Sequence, residues 1–341
     1  MQTILSDDAD IVLSRIDLSS IIGKKILITG ASGLVGINMV SCIKKIKGVE
    51  LWCWFRENID DCFVDVFNGC NLIQGDITDH NMFDSIPHFD FIIHAAGYAQ
   101  PSKFLEDKIK TIQINTTSTI LLMEKLNVNG TFLFVSSSEI YNGLDRRNIQ
   151  EDQIGTTNTD HPRSCYIEGK RAGEAICHAY LQKGHNIKIA RLSSAYGAGT
   201  KKNDKRVLNS LIERGLTKEK IELMDDGSAI RTFCYITDIT EMLLNIMIHS
   251  NKSTYNIGGI CELSIRELAN RIGLVLGKKI IVPSTSSSID GNPKIVNVSV
   301  QRYLDEFGKK STDFVDFDEG LKRTIDWQTE FVRKNIMKII Q

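Results

Sequence analysis

Apolar residues along the chain alternate between two rhythms. Short, strand-like runs occur at residues 24–29, 49–55, 71–73, 89–97, 131–142 and 187–192. Between them, residues 34–46, 108–126 and 164–182 carry apolar positions at helical spacing; in the second of these Ile109, Ile112, Ile120 and Leu121 give an apolar face. A β-α order repeated in this way predicts an α/β fold, a doubly wound parallel sheet (Rossmann-like). After Tyr196 the rhythm changes. A helix near 204–214, a short strand at 221–224, helices at 264–276 and 316–332 and a strand at 279–282 predict a smaller mixed C-terminal lobe. Residues 237–247 and 254–257 return to the first unit. The expected division is a 1–22 extension with a short helix packed on the outside, a 23–196 dinucleotide-binding domain completed by about 235–260, and a lobe from 197–234 and 261–341. The polar, serine-rich segment 283–299 reads as a loop, substrate-facing or mobile.

The stretch ILITGASGLVG at 26–36 joins the first strand to the first helix. Gly30 suits a tight turn, Gly33 a close approach to a pyrophosphate, and Gly36 a helix lying near the sheet. Ser32, Leu34 and Val35 complete this cradle, although a β-α turn without ligand carries the same spacing. The second strand ends at Phe55 and Arg56, where simple NAD sites carry an acid that bonds the adenosine ribose. Arg56 can pair with the 2′-phosphate of NADP, lie over the adenine or stay solvated, so NAD is expected and NADP left open. Asp76, with Ile77, follows the third strand and can accept from an adenine amino group or cap its own turn. Ala95, Ala96 and Gly97 are small residues where the fourth strand must pass a cofactor. Asn115, within the helix at 108–126, is expected to hydrogen-bond across to a strand.

Composition narrows the classes. The 341 residues are 42% hydrophobic and 24% charged, with formal net charge −1, which fits a globular protein and gives no reason to expect nucleic acid as a partner. The N-terminal residues lack a signal-peptide pattern and no apolar run is long enough to span a membrane, so a cytoplasmic location is expected. Eight cysteines without CxxC spacing read as thiols, and His94, His161 and His178 as core or surface residues, so no metal is expected.

The candidate chemistry lies further on. The fifth strand ends in Ser136, Ser137, Ser138 and Glu139, at the edge where open α/β sheets bind ligands. Tyr166 and Lys170 are four apart on the helix at 164–182 and share a face. A lysine ammonium there lowers the tyrosine pKa, the phenolate takes a proton from an alcohol, and Ser137 holds the same oxygen while a nicotinamide accepts hydride.

These stretches, with GDITD, HAAG, SSSEIY, YIEGK, RLSSAYG and DGSAIRTFCYITD, resemble the extended short-chain dehydrogenase/reductase family that acts on nucleotide sugars, from about residue 24 to 335. The resemblance implies a nicotinamide cofactor in the first domain, a nucleoside-diphosphate sugar in the second, and transient oxidation of the sugar at C4. Ser137, Tyr166 and Lys170 match the family's catalytic group, and Arg231 matches an arginine that binds the diphosphate or places a sugar carboxylate. Tyr98, Ser138, Ser194 and Arg231 form the implied substrate-binding set. Ser194 replaces an asparagine common in relatives, and Tyr98 replaces smaller residues. Ser138 argues against thymidine-diphosphate-type 4,6-dehydratases, which need an acid there. Ser138-Glu139 and YIEGKR resemble UDP-glucuronate decarboxylases, and guanosine-diphosphate-mannose dehydratases also use a Ser-Glu pair. Decarboxylation leads; a 4,6-dehydratase with Glu139 as base, a 4-epimerase or NADP-dependent 4-keto reductase, and a non-catalytic nucleotide-binding protein remain alternatives. Relatives pair through the helices at 108–126 and 164–182, which implies a homodimer.

Overall fold

A computed structural model describes residues 1–283 and 293–340, with side chains described as far as Arg333. In chain order the first unit holds α1 (Gln2–Leu13), β1 (Lys25–Thr29), α2 (Leu34–Ile43), β2 (Glu50–Phe55), β3 (Asn71–Gln74), β4 (Phe89–His94), α3 (Pro101–Glu106), α4 (Lys108–Asn115), α5 (Thr117–Glu124), β5 (Leu126–Ser137), α6 (Ser164–Gln182) and β6 (Asn186–Leu192). Then follow β7 (Ser194–Tyr196), α7 (Val207–Thr217), β8 (Lys220–Glu222), β9 (Ile230–Tyr235), α8 (Ile236–His249), β10 (Thr254–Ile257), β11 (Cys261–Ser264), α9 (Ile265–Leu276), β12 (Lys279–Ile281), β13 (Ile295–Val296), α10 (Gln301–Phe307) and α11 (Phe317–Ile340).

The main sheet has seven strands in the order β10-β6-β5-β4-β1-β2-β3, every pair parallel. Its strands are buried on both faces, as apolar runs such as Ile26, Leu27 and Ile28, all fully buried, require. Strand order reverses between β1 and β4, which opens a crevice at their C-terminal ends. The second lobe is built from a four-stranded sheet, β11-β9-β13 with β7 also on β9, and a two-stranded β12-β8 pair. β10 and α8 return to the first unit, so the chain crosses between lobes repeatedly.

α1 does more than cover the first unit. Leu5, Ala9 and Val12 bury against the core, each large side chain contributing about 1.5–3 kcal/mol. Its buried Asp8 accepts from Tyr235 Oη at 2.8 Å and is paired with Arg323 of α11. The extension therefore ties α2 and α8 to the second lobe.

Three expectations need correction. The helix expected at 108–126 is two helices that meet at Thr116, whose helical geometry is distorted to φ −113°, ψ −78°, and β5 already begins at Leu126. Thr116 and Thr119 turn their hydroxyls back onto the carbonyls of Ile112 and Asn115 at 2.9 and 2.8 Å, which competes with the helix ladder. Most of the expected apolar face also points outward: Ile109 is 68% exposed, Ile112 and Ile120 are exposed, and the buried apolar residues are Ile114, Leu122 and Met123. Asn115 does not reach a strand; its amide donates to Thr111 O in its own helix at 2.8 Å. Of the loop expected at 283–299, residues 284–292 lie outside the described residues. No helix among the described residues is long and apolar enough to cross a membrane.

Candidate active site

A cleft of about 280 Å³ follows the C-terminal ends of β1, β2, β4 and β5. The glycine turn forms one wall. Gly30 adopts φ +67°, and a Cβ there would sit 2.6 Å from Ala95 O; a Cβ on Gly36 would sit 2.3 Å from Gly30 O. Both positions are fixed by backbone packing. Gly33 differs: it is the N-cap of α2 at φ −80°, and an added Cβ would meet only Gly30 O, at 3.3 Å. Its missing side chain keeps open the space in front of the α2 N-terminus, where backbone N–H groups and the helix dipole favour an anion. Ser32, Leu34 and Val35 share this wall, so the donor set fits a dinucleotide pyrophosphate.

The floor is held by His94, fully buried at the end of β4. Its Nδ1 lies 2.8 Å from Thr29 Oγ1 and its Nε2 3.0 Å from Ile114 O, and Thr29 Oγ1 accepts from Ala96 N at 3.2 Å. Burial pushes this imidazole down to about 3. Ala95, Ala96 and Gly97 are thereby set along the cleft.

At the far end Arg56 stacks over the Tyr98 ring, 4.9 Å from its centroid, and hydrogen-bonds both Tyr98 Oη and Glu57. Its guanidinium is thus engaged by protein groups. Glu57 lines the cleft two residues past the strand end, beyond the position where the sequence pattern places a ribose-binding acid. Asp76 and Ile77 also line it, and Asp76 accepts from Thr78 N at 3.0 Å and pairs with Lys110 at 3.0 Å. Tyr98, expected on the substrate side, has its hydroxyl on Arg56 instead.

Tyr166 and Lys170 lie one turn apart on α6, both buried. Lys170 donates to Val135 O at 2.8 Å, and its Nζ is 5.9 Å from the Tyr166 ring centroid. Burial pushes Lys170 down to about 8, with Glu174 opposing. It also pushes the Tyr166 phenol up to about 12, opposed chiefly by a hydrogen bond from Ser137. In this geometry desolvation of the phenol outweighs the groups that favour the phenolate, the Ser137 hydrogen bond first and the Arg163 and Arg206 charges after it. Phe104 stacks on Tyr166 at 4.9 Å, a neighbour for which the sequence carried no signal.

Glu139 is held by Arg163 through Nη2 at 2.5 Å and Nε at 3.2 Å, and by Asn142 Nδ2 at 3.4 Å. Arg163 was not singled out, yet its place three residues before Tyr166 puts it at the N-cap of the same helix and is a readable signal. Ser138 and Glu139 face a second, smaller hollow with Val296 and Asn297. Arg231 extends from β9 and donates to Ile230 O at 2.7 Å, close enough to Glu139 and Arg163 to feel their charges; burial pushes it down. Ser194 sits on β7, paired beside Phe233 of β9, and neither it nor Arg231 lines the main cleft. No group of three His, Cys, Asp or Glu among the described residues is arranged to hold a metal.

A doubly wound sheet with a glycine-turn anion cradle beside a buried tyrosine-lysine pair defines a dinucleotide-dependent oxidoreductase class. The chain belongs to the NAD dependent epimerase/dehydratase family, which matches residues 26–258. It is therefore an enzyme of an NAD-dependent class. It is 29% identical over 315 residues to UDP-glucuronic acid decarboxylase 1 of Danio rerio, covering 89% of this chain and 72% of that protein. It is 30% identical over 254 residues to UDP-glucuronic acid decarboxylase 6 of Arabidopsis thaliana, covering 73% of each. Among solved structures it resembles UDP-glucuronic acid 4-epimerase from Bacillus cereus in complex with UDP-glucuronic acid and NAD, with a TM-score of 0.75 and 22% identity over 90% of this chain and 99% of that one.

Proposed function

We propose that the protein is a UDP-glucuronate decarboxylase, acting as a homodimer on a nucleoside-diphosphate sugar held between the cleft and the second lobe. NAD, held by the glycine turn, Arg56-Glu57 and Ala95–Gly97, supplies a hydride acceptor and donor at C4. Tyr166 Oη takes the proton of the C4 hydroxyl and later returns it, Ser137 Oγ holds that oxygen, and Lys170 supplies positive charge beneath the pair. A C4 ketone makes the carboxylate on C5 a β-keto acid: the bond from C5 to the carboxyl carbon breaks, carbon dioxide leaves, the electron pair passes into a C4 enolate, and C5 takes a proton from water before the C4 carbonyl is reduced, with no carbon-bound proton removed.

The observation that carries this reading over the dehydratase is the state of Glu139. Its oxygens are committed to Arg163 and Asn142, which suits a group that orients a ring and not a base that strips a proton from C5. Arg231, close to this pair, suits the sugar carboxylate or the diphosphate. The relatives named as UDP-glucuronic acid decarboxylases support the same choice. Ile109, Ile112 and Ile120, exposed on α4 and α5, supply an apolar face for a second copy, which sedimentation checks.

The deciding experiment incubates the protein with UDP-glucuronate, UDP-glucose and thymidine-diphosphate-glucose and identifies products by mass and by proton NMR, which separates a 4-epimer from a substrate of equal mass. Carbon dioxide and a UDP-pentose from UDP-glucuronate are expected. A 4-keto-6-deoxy sugar selects the dehydratase, and a 4-epimer with no loss of mass selects the epimerase.

A further inference from the structure

The loop from Gly197 to Arg206, between β7 and α7, belongs by chain order to the second lobe, yet it lies against the glycine turn of the first. Three bonds fix its first half. Asn38 of α2 donates to Ala198 O at 2.9 Å, Thr200 Oγ1 donates to Gly197 O at 2.8 Å, and Trp327 of α11 donates from its indole to Thr200 O at 2.9 Å. Its second half is held by Lys205 N on Gln100 Oε1 at 3.1 Å and by the Arg206–Asp204 pair. Pinned on both sides, the loop points Lys201 at the cradle: Nζ lies 3.3 Å from Ser32 Oγ, half-buried, in the wall of the cleft. Its neighbour Lys202 is exposed and does not line the cleft.

Glu57, in the same cleft, attracts the Lys201 charge, yet the ammonium itself is held on a hydroxyl at the N-terminus of a helix, where the dipole already presents positive charge and repels it. A dianionic ligand bridging Ser32, the α2 amides and the ammonium turns that repulsion into attraction. We infer that Lys201 is a cofactor-binding residue: it contacts the dinucleotide pyrophosphate from the second lobe, so that cofactor retention depends on the 197–206 strap as well as on the glycine turn. The inference rests on the NAD reading above and deepens it. It also gives the strap's anchoring a purpose, since Asn38 and Trp327 hold it to helices from both ends of the chain.

The test is NADH binding, followed by fluorescence at low and high salt, together with the nicotinamide content of the protein as purified. K201M is expected to weaken NADH by about tenfold or more, because a hydrogen bond to a charged group is lost, to flatten the salt dependence, and to copurify with less cofactor. K201R is expected to retain most of the affinity, and K202M to match wild type in every measurement. Equal NADH affinity and equal salt slope for wild type and K201M overturn this inference alone. An equal loss in K201M and K202M overturns it too, by making the effect one of general charge. Wild-type protein that binds no dinucleotide overturns the NAD reading and this inference with it.

Discussion

Replacing His94 by glutamine should remove a specific acid sensitivity. Ile114 O can only accept, so the His94 proton lies on Nε2; Nδ1 is then the acceptor of the Thr29 hydroxyl, whose oxygen in turn accepts from Ala96 N. Adding a second proton at Nδ1 would break this chain under the cofactor floor, and burial holds the pKa at about 3 against an ordinary 6.5. The sign follows from proton counts. Below the unfolded value of 6.5 the unfolded chain binds a proton that the folded chain refuses, so the stability present above 6.5 is lost progressively as pH falls toward about 3. At about 1.36 kcal/mol per pH unit, this one residue costs about 2 kcal/mol between pH 6.5 and pH 5. In His94→Gln the amide can still donate toward Ile114, and nothing titrates. The variant should be less stable at pH 7, for want of the Thr29 acceptor, but its deficit should shrink by about 2 kcal/mol at pH 5. Urea unfolding of both proteins at the two pH values reads the difference directly, because titrations common to both cancel. A parallel fall of the two curves from pH 7 to pH 5 would refute the reasoning.

Other perturbations separate packing from chemistry. Gly36→Ala drives a Cβ to 2.3 Å from Gly30 O, so it should cost about 1–3 kcal/mol by overpacking in thermal unfolding. Gly33→Ala meets only Gly30 O, at 3.3 Å; it should leave stability nearly unchanged and show its effect in weaker NADH binding. Asp8→Ala strands Arg323 and Tyr235 in the interlobe contact, with an expected loss of about 2–3 kcal/mol, below the usual range for broken buried pairs because Arg323 is partly exposed; Asp8→Asn, which keeps the Tyr235 acceptor, should lose less. Tyr166→Phe should lower turnover by about 10²–10⁴-fold while NADH still binds, and full turnover in that variant would remove the enzyme reading.

The cofactor half of the site was readable because its code is local. Gly30, Gly33 and Gly36 act on backbone within a few residues, and Tyr166 and Lys170 are one helical turn apart, so spacing alone sets their geometry. The break at Thr116 was also written locally, in two threonines that bond back onto their own helix, but an apolar period running through the break concealed it. The second lobe resisted because β7 and β13 are too short for a period to show, and they, like β9 and β11, form their sheet by pairing with strands from elsewhere in the chain.

The same contrast bears on how the site is built. Glu139 was named from its place after the serines, but its condition depends on Arg163, 24 residues on, and on Asn142. Arg231, from another strand, feels that pair and donates onto its own backbone. A carboxylate in such company is defined by the charges brought to it, and a proton acceptor needs an oxygen that can give up its present donors. If Arg163 is what keeps Glu139 in an orienting role, weakening that contact should expose the other chemistry. Arg163→Gln frees Glu139 Oε1 from its 2.5 Å partner, and in a decarboxylase it should reduce turnover and raise KM for the nucleotide sugar together, since ring orientation is lost. In a dehydratase the same change would leave substrate binding nearly intact and alter the pH dependence of kcat, because the base itself would titrate differently. Product analysis alone does not reveal which role Glu139 plays, whereas the split between KM and the pH profile does.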